Sequence, residues 1–139
     1  TREGLFSAAF VTIPEEKRGR KPVVLIPNPF YQCYAAAALC AGAEPVYVNA
    51  TRESNFIPDF ASLSPDILAR TAAVYMCSPS NPEGAACDAQ NWQRLFELAD
   101  EFDFIVLADE CYSEIYTTTA PAGSTASDDA ASGRPSDRR

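Results

Sequence analysis

The chain has 139 residues, 47% of them hydrophobic, a formal charge of −8 and no histidine. That size and apolar content suit one globular unit with a single core, or a part of a larger one. The negative balance argues against a nucleic-acid or anionic-membrane surface, which needs clustered Lys and Arg, and the lack of histidine removes Ser-His-Asp and Cys-His catalysis. Five cysteines without a C-x-x-C pair or a histidine argue against a zinc site and read as buried free thiols of a reducing compartment. The longest apolar run, around residues 34–43, is too short to span a bilayer, and no signal-like segment opens the chain, so the cytoplasm is the expected location.

Residues 1–10 read as a helix with Leu5, Phe6 and Phe10 on one side and Glu3 near its start, where the dipole favours an acid. Thr1 stands first, inside this helix, so the chain is expected to begin upstream of what is written. A charged loop over 14–21 leads to a short apolar strand at 23–26, halted by Pro27-Asn28-Pro29. Residues 31–41 are alanine-rich, suit a helix and stop at Gly42. A second strand is expected at 45–48, then a polar turn region over 52–59. Ser64-Pro65-Asp66 caps a short helix through Leu68 with proline at its first position. A third strand follows at 73–77 and a Pro/Gly/Ser loop at 78–84. Asp88 caps a helix over 89–102, in which Trp92, Leu95, Phe96, Ala99 and Phe102 share one face. Residues 105–108 form the fourth strand. Strands alternating with helices imply an α/β fold with a mostly parallel sheet.

The fourth strand ends in a carboxylate, Asp109, followed at three residues by Tyr112. In open α/β sheets, ligands bind in the crevice at the carboxyl ends of the strands. A buried carboxylate there needs a positive partner or strong hydrogen bonds. The flanking sequence offers neither, so a ligand is expected to supply one. Two further motifs also follow strands directly: Pro27-Asn28-Pro29-Phe30-Tyr31 and Ser78-Pro79-Ser80-Asn81-Pro82-Glu83-Gly84. Each alone is accounted for as a turn or a packed loop. All three together project from one edge of a parallel sheet.

In this order and at these strand ends, the motifs resemble the large domain of fold-type I, pyridoxal-phosphate-dependent aminotransferases of the class I/II family. The resemblance covers residues 1–116 and implies part of a three-layer sandwich, the cofactor-binding large domain. Within the family, Thr-Arg-Glu-Gly-Leu-Phe, residues 21–48 and Asp-Glu-Cys-Tyr-Ser-Glu-Ile-Tyr are most similar to the bacterial succinyldiaminopimelate branch. That implies amino transfer from glutamate to a keto acid, N-succinyl-2-amino-6-oxopimelate, by a cytoplasmic homodimer acting on small molecules. It also implies residue roles. Asp109 would pair with the pyridine nitrogen, and Asn81 and Tyr112 would hydrogen-bond the phenolic oxygen. Tyr31 would stack on the ring, and Thr1 and Arg2 at a helix N-terminus would bind the phosphate.

The departures from the family pattern are as informative. The family's Schiff-base lysine lies on a later strand, and the only lysines here, Lys17 and Lys21, sit in an early loop with no motif around them. The carboxylate-clamping arginine of the small domain and the N-terminal segment are likewise absent. The chain as written is therefore expected to be inactive. The alternative is a non-catalytic, truncated remnant that binds pyridoxal phosphate weakly and without covalent attachment. A receiver-like signalling module is disfavoured by the missing acidic pair and late lysine, and no G-x-G-x-x-G or P-loop occurs. Residues 117–139 contain no Leu, Ile, Val, Met or aromatic residue. They are expected to be a disordered tail, as a flexible linker or through a frame shift or truncation.

Overall fold

A computed structural model describes residues 2–117 and 119–125. Four strands form one sheet: β1 (Val23–Asn28), β2 (Glu44–Asn49), β3 (Thr71–Cys77) and β4 (Ile105–Asp109). Their spatial order is β2-β1-β3-β4 and every neighbouring pair is parallel. The helices are α1 (Arg2–Thr12), α2 (Gln32–Cys40), α3 (Pro65–Arg70) and α4 (Ala89–Phe102), with a single 3-10 turn at Phe60–Ser62. The 3-10 turn falls between the expected polar turn region over 52–59 and the Ser64 cap. Phe60 there is buried, which is why the segment turns inward.

The side-chain period of two divides the apolar residues between the two faces of the sheet. Val23, Leu25, Val74 and Met76 point to one side and meet Leu68 of α3 and Trp92, Leu95 and Ala99 of α4. Val24, Ile26, Ala73 and Tyr75 point to the other and meet Ala9 of α1 and Tyr34, Ala37 and Ala38 of α2. The result is helices, sheet, helices: the partial three-layer α/β sandwich expected. β1 and β3 are central and almost wholly buried, whereas β2 and β4 are edges and partly exposed.

Local chemistry sets the element ends. Asp88 accepts from the Asn91 N–H (2.7 Å) while the Asn91 side chain accepts from the Asp88 N–H (3.0 Å), a complete capping box. Ser64 caps α3 with Pro65 at its first position. Gly42, at φ 82°, turns the chain out of α2. α4 ends instead on Asp103 in the left-handed conformation. There the Lys17 ammonium donates to the carbonyls of Thr71 (2.6 Å), Phe102 (3.0 Å) and Asp103. The charged loop 14–21 is thus tied to the amino-terminal edge of the sheet by one lysine. Burial holds the Lys17 ammonium below its ordinary range.

Within the segment expected to be a disordered tail, the Trp92 indole N–H donates to the Ala122 carbonyl (3.1 Å) and the Ser124 N–H to Glu110 Oε1 (2.5 Å). Ala122 also packs against the α4-side core. Composition does not reveal such contacts, because a backbone carbonyl is an acceptor any residue offers. Residues 118 and 126–139 of that segment lie outside the described residues, as does Thr1.

Candidate active site

The carboxyl ends of all four strands open onto one cavity of about 590 Å³, within the range of small-molecule sites. Arg2, Tyr31, Asn81, Asp109 and Tyr112 all line it, and so does Tyr34, which the sequence reading missed. Thr1, the remaining candidate, lies outside the described residues.

Each side chain arrives by a separate route. Asp109 is the last residue of β4 and is 8% exposed. Its strand register pairs it with Cys77, and the Ser78 N–H bonds to its carbonyl (3.0 Å), so its backbone is fixed to β3. Asn81 stands on a tight loop closed by Gly84 N–H to Ser80 O (2.9 Å) and Ser80 N–H to Ala85 O (2.8 Å), with Gly84 at φ 70°. Its amide donates to the Tyr112 hydroxyl (3.1 Å), joining the β3 and β4 loops. Tyr31 precedes α2, is 43% exposed and meets Tyr34 edge to face at 5.8 Å. Arg2 opens α1, and its guanidinium is raised above its ordinary value by hydrogen bonding to Tyr31 and then by nearby Glu3.

Asp109 does not wait for a ligand to satisfy it. The Tyr34 hydroxyl donates to its Oδ2 at 2.5 Å, and the Cys111 N–H donates to its Oδ1 at 3.3 Å. Tyr34 is 1% exposed, stacks on Tyr75 at 4.5 Å, and Tyr75 in turn donates to the Leu5 carbonyl of α1 at 2.8 Å. Burial, and next the bond to Asp109, push the Tyr34 hydroxyl far above its ordinary value, so it serves as a fixed neutral donor. No sequence motif marks it beyond its place one helical turn after Tyr31. Two hydrogen bonds leave the carboxylate with unused acceptor capacity on the cavity side. Cys77 is pushed up to about 11 by burial and then by the Asp109 charge, and Cys111 is raised too. Protonated thiols of that kind are poor nucleophiles.

The lysines lie elsewhere. Lys17 bonds to carbonyls at the start of β3 and just before β4, and exposed Lys21 precedes β1. Asp109 is at the other end of the same strands, roughly 20 Å away for a seven-residue strand.

The far wall of the cavity includes Phe30, Ala50, Phe56, Ile57 and Pro58, from the segments that follow β1 and β2. Asn55 and Phe56 there have φ of 52° and 58°. For a residue as bulky as phenylalanine, this is a strained backbone costing about 1–3 kcal/mol.

The chemistry of this donor set fits pyridoxal phosphate. A carboxylate on the cavity could accept from a ring N–H cation, an amide–hydroxyl pair could hold a phenolic oxygen, an aromatic ring is exposed for stacking, and a helix start with an arginine suits a phosphate.

Comparison with known proteins defines the class. The model of the family "Aminotransferase class I and II" matches residues 7–134, and the chain belongs to that family. An aminotransferase from Neisseria meningitidis of known crystal structure is 40% identical and superposes with a TM-score of 0.84, covering 96% of this chain and 33% of that one. LL-diaminopimelate aminotransferase of Halothermothrix orenii is 36% identical over 93 residues, 67% of this chain and 24% of that protein. Alanine aminotransferase of Mycobacterium bovis is 35% identical over 92 residues, covering 66% and 21% respectively. The chain thus spans about a quarter of the length of the curated relatives it matches.

Proposed function

We propose that these residues form the cofactor cradle of a pyridoxal-phosphate-dependent aminotransferase. The reaction proposed for the whole enzyme moves an amino group from glutamate to a diaminopimelate-type keto acid, N-succinyl-2-amino-6-oxopimelate. The observation that carries the reading is Asp109, a buried carboxylate with spare acceptor capacity facing a cavity. The names of relatives that act on diaminopimelate support the substrate class. Five free cysteines suit a reducing, cytoplasmic setting, and a homodimer is the assembly proposed for the whole enzyme.

Bound here, pyridoxal phosphate would supply an electron sink for negative charge developing at the substrate's α-carbon. The chain's residues prepare the site for it. Asp109 would pair with the ring nitrogen, and Tyr34 would keep Asp109 oriented. Asn81 and Tyr112 would donate to the phenolic oxygen, Tyr31 would stack on the ring, and Arg2, with Thr1 beside it in sequence, would bind the phosphate. Neither lysine of this chain reaches the cavity. We propose accordingly that the 139 residues bind the cofactor without covalent attachment and without turnover, as a non-catalytic cradle.

Titrating the purified chain with pyridoxal phosphate, followed by circular dichroism in the cofactor's absorption band, tests this. Binding is expected for wild type and should weaken by more than about tenfold in Asp109→Asn, because a buried charge pair is lost. Equal binding by the variant, or a borohydride-reduced adduct mapped to Lys17 or Lys21, would refute it.

A further inference from the structure

The cavity lining carries an apolar patch toward the β1–β2 side, although Tyr31, Gln32 and Tyr34, which follow β1, also line it. Asn81, Asp109 and Tyr112 come from the ends of β3 and β4, whereas Phe30, Ala50, Phe56, Ile57 and Pro58 come from the ends of β1 and β2. None of these five has a charged or hydrogen-bonding side chain. The ring of Phe30 rests on Tyr47 of β2, at 4.9 Å between centroids, so this wall is backed by the sheet edge.

Half-buried Phe56 stands apart from the two core clusters. Ile57 packs against the α4-side core and Phe30 against the α2-side core, while Phe56 belongs to neither cluster of described residues. Its left-handed backbone is one that glycine adopts without steric cost. The turn that enforces it is rigid: the Phe56 N–H donates to the Thr51 carbonyl (2.7 Å), Asn55 N–H to Arg52 O (3.1 Å) and Ile57 N–H to Ser54 O (3.0 Å). The Ser54 hydroxyl also bonds back to the Thr51 carbonyl (3.1 Å). A large ring held in a strained turn, outside the core and on a ligand cavity, points to contact with the ligand.

We propose that Phe56 is a specificity-determining residue whose ring, with Phe30 and Ile57, receives an unbranched aliphatic stem of the amino-acid or keto-acid substrate. This rests on the cofactor reading above, which puts the substrate's α-carbon near the polar residues and leaves the apolar patch for the side chain. Burial of each methylene is then worth about fourfold in affinity.

The probes are reduced adducts of pyridoxal phosphate with alanine, norvaline, norleucine and glutamate, titrated calorimetrically into the whole 139-residue chain. In wild type, affinity should rise from alanine to norleucine by at least about tenfold, and the norleucine adduct should outbind the glutamate adduct. Phe56→Gly relieves the backbone and removes the ring. It should bind the alanine adduct as wild type does, with the rise to norleucine reduced to about threefold or less. Phe56→Leu, which keeps an apolar side chain, should show an intermediate rise and covers the case in which the glycine variant does not fold. An unchanged rise in both variants, or tighter binding of the glutamate adduct by wild type, overturns the inference while leaving the cofactor reading intact. Failure of the alanine adduct to bind wild type, or equal binding to Asp109→Asn, overturns the cofactor reading and the inference with it.

Discussion

Replacing Tyr34 with phenylalanine removes one oxygen from the centre of the site and little else. The ring stays stacked on Tyr75, so the packing between α2 and β3 is kept. What is lost is the hydroxyl donating to Asp109 Oδ2, in a place where the carboxylate is 8% exposed, while the Cys111 N–H bond to the other oxygen is kept. Hydrogen bonds to a charged group contribute about 1.5–3 kcal/mol, and water cannot readily replace the donor at this burial, so the expected cost is about 2 kcal/mol. The assay is urea unfolding of wild type, Tyr34→Phe, Asp109→Asn and the double variant, followed by Trp92 fluorescence. The cycle should return a coupling energy of about 1.5 kcal/mol or more between positions 75 residues apart in sequence. Tyr75→Phe, which loses a neutral bond to the Leu5 carbonyl, serves as the comparison and should cost about 1 kcal/mol. A coupling energy below about 0.5 kcal/mol would show that Tyr34 does not hold the carboxylate, and would refute the reasoning.

Lys17→Met should destabilise the chain by about 1–3 kcal/mol, since three carbonyls lose a charged donor at a partly buried site. It should leave pyridoxal phosphate affinity unchanged because it acts at the opposite strand ends; a matching loss of affinity in the same titration would contradict that separation. Asp88→Ala breaks the capping box of α4 and should cost about 1 kcal/mol in urea unfolding, with an unchanged midpoint counting against the cap. Alkaline pH should destabilise the fold. Cys77 and Cys87 are pushed up from 9.0 to about 11, chiefly by burial, so the folded chain keeps protons that the unfolded chain releases. Their contribution is full below about pH 9 and is lost between about pH 9 and 11, at up to about 1.4 kcal/mol per pH unit for each thiol. Unfolding midpoints under reducing conditions that match at about pH 8 and about pH 10 would refute this.

Much of the site was legible because its signals are local. Asp109 and Tyr112 share one strand end, Asn81 sits in a turn that proline and glycine announce, and the face of α4 repeats with the helical period. Each depends only on residues within a few positions of one another. The strand positions, the capped helices and the convergence of three loops on one sheet edge follow from the same local rules.

What tertiary structure decided are the long-range and non-periodic features. Tyr34 meets Asp109 only because the sheet orders its strands β2-β1-β3-β4 and lays α2 over the centre, bringing the helix after β1 beside the end of β4. Lys17 looks like a solvated loop charge until the carbonyls at the start of β3 and just before β4 close around it. Phe56 carries no signal of its left-handed backbone, since glycine is the usual marker of that conformation and none stands there. By itself, the sequence determined the layered fold and the carboxylate at the end of the fourth strand. The partner that holds that carboxylate, and the apolar wall facing it, depend on contacts that local residue patterns do not encode.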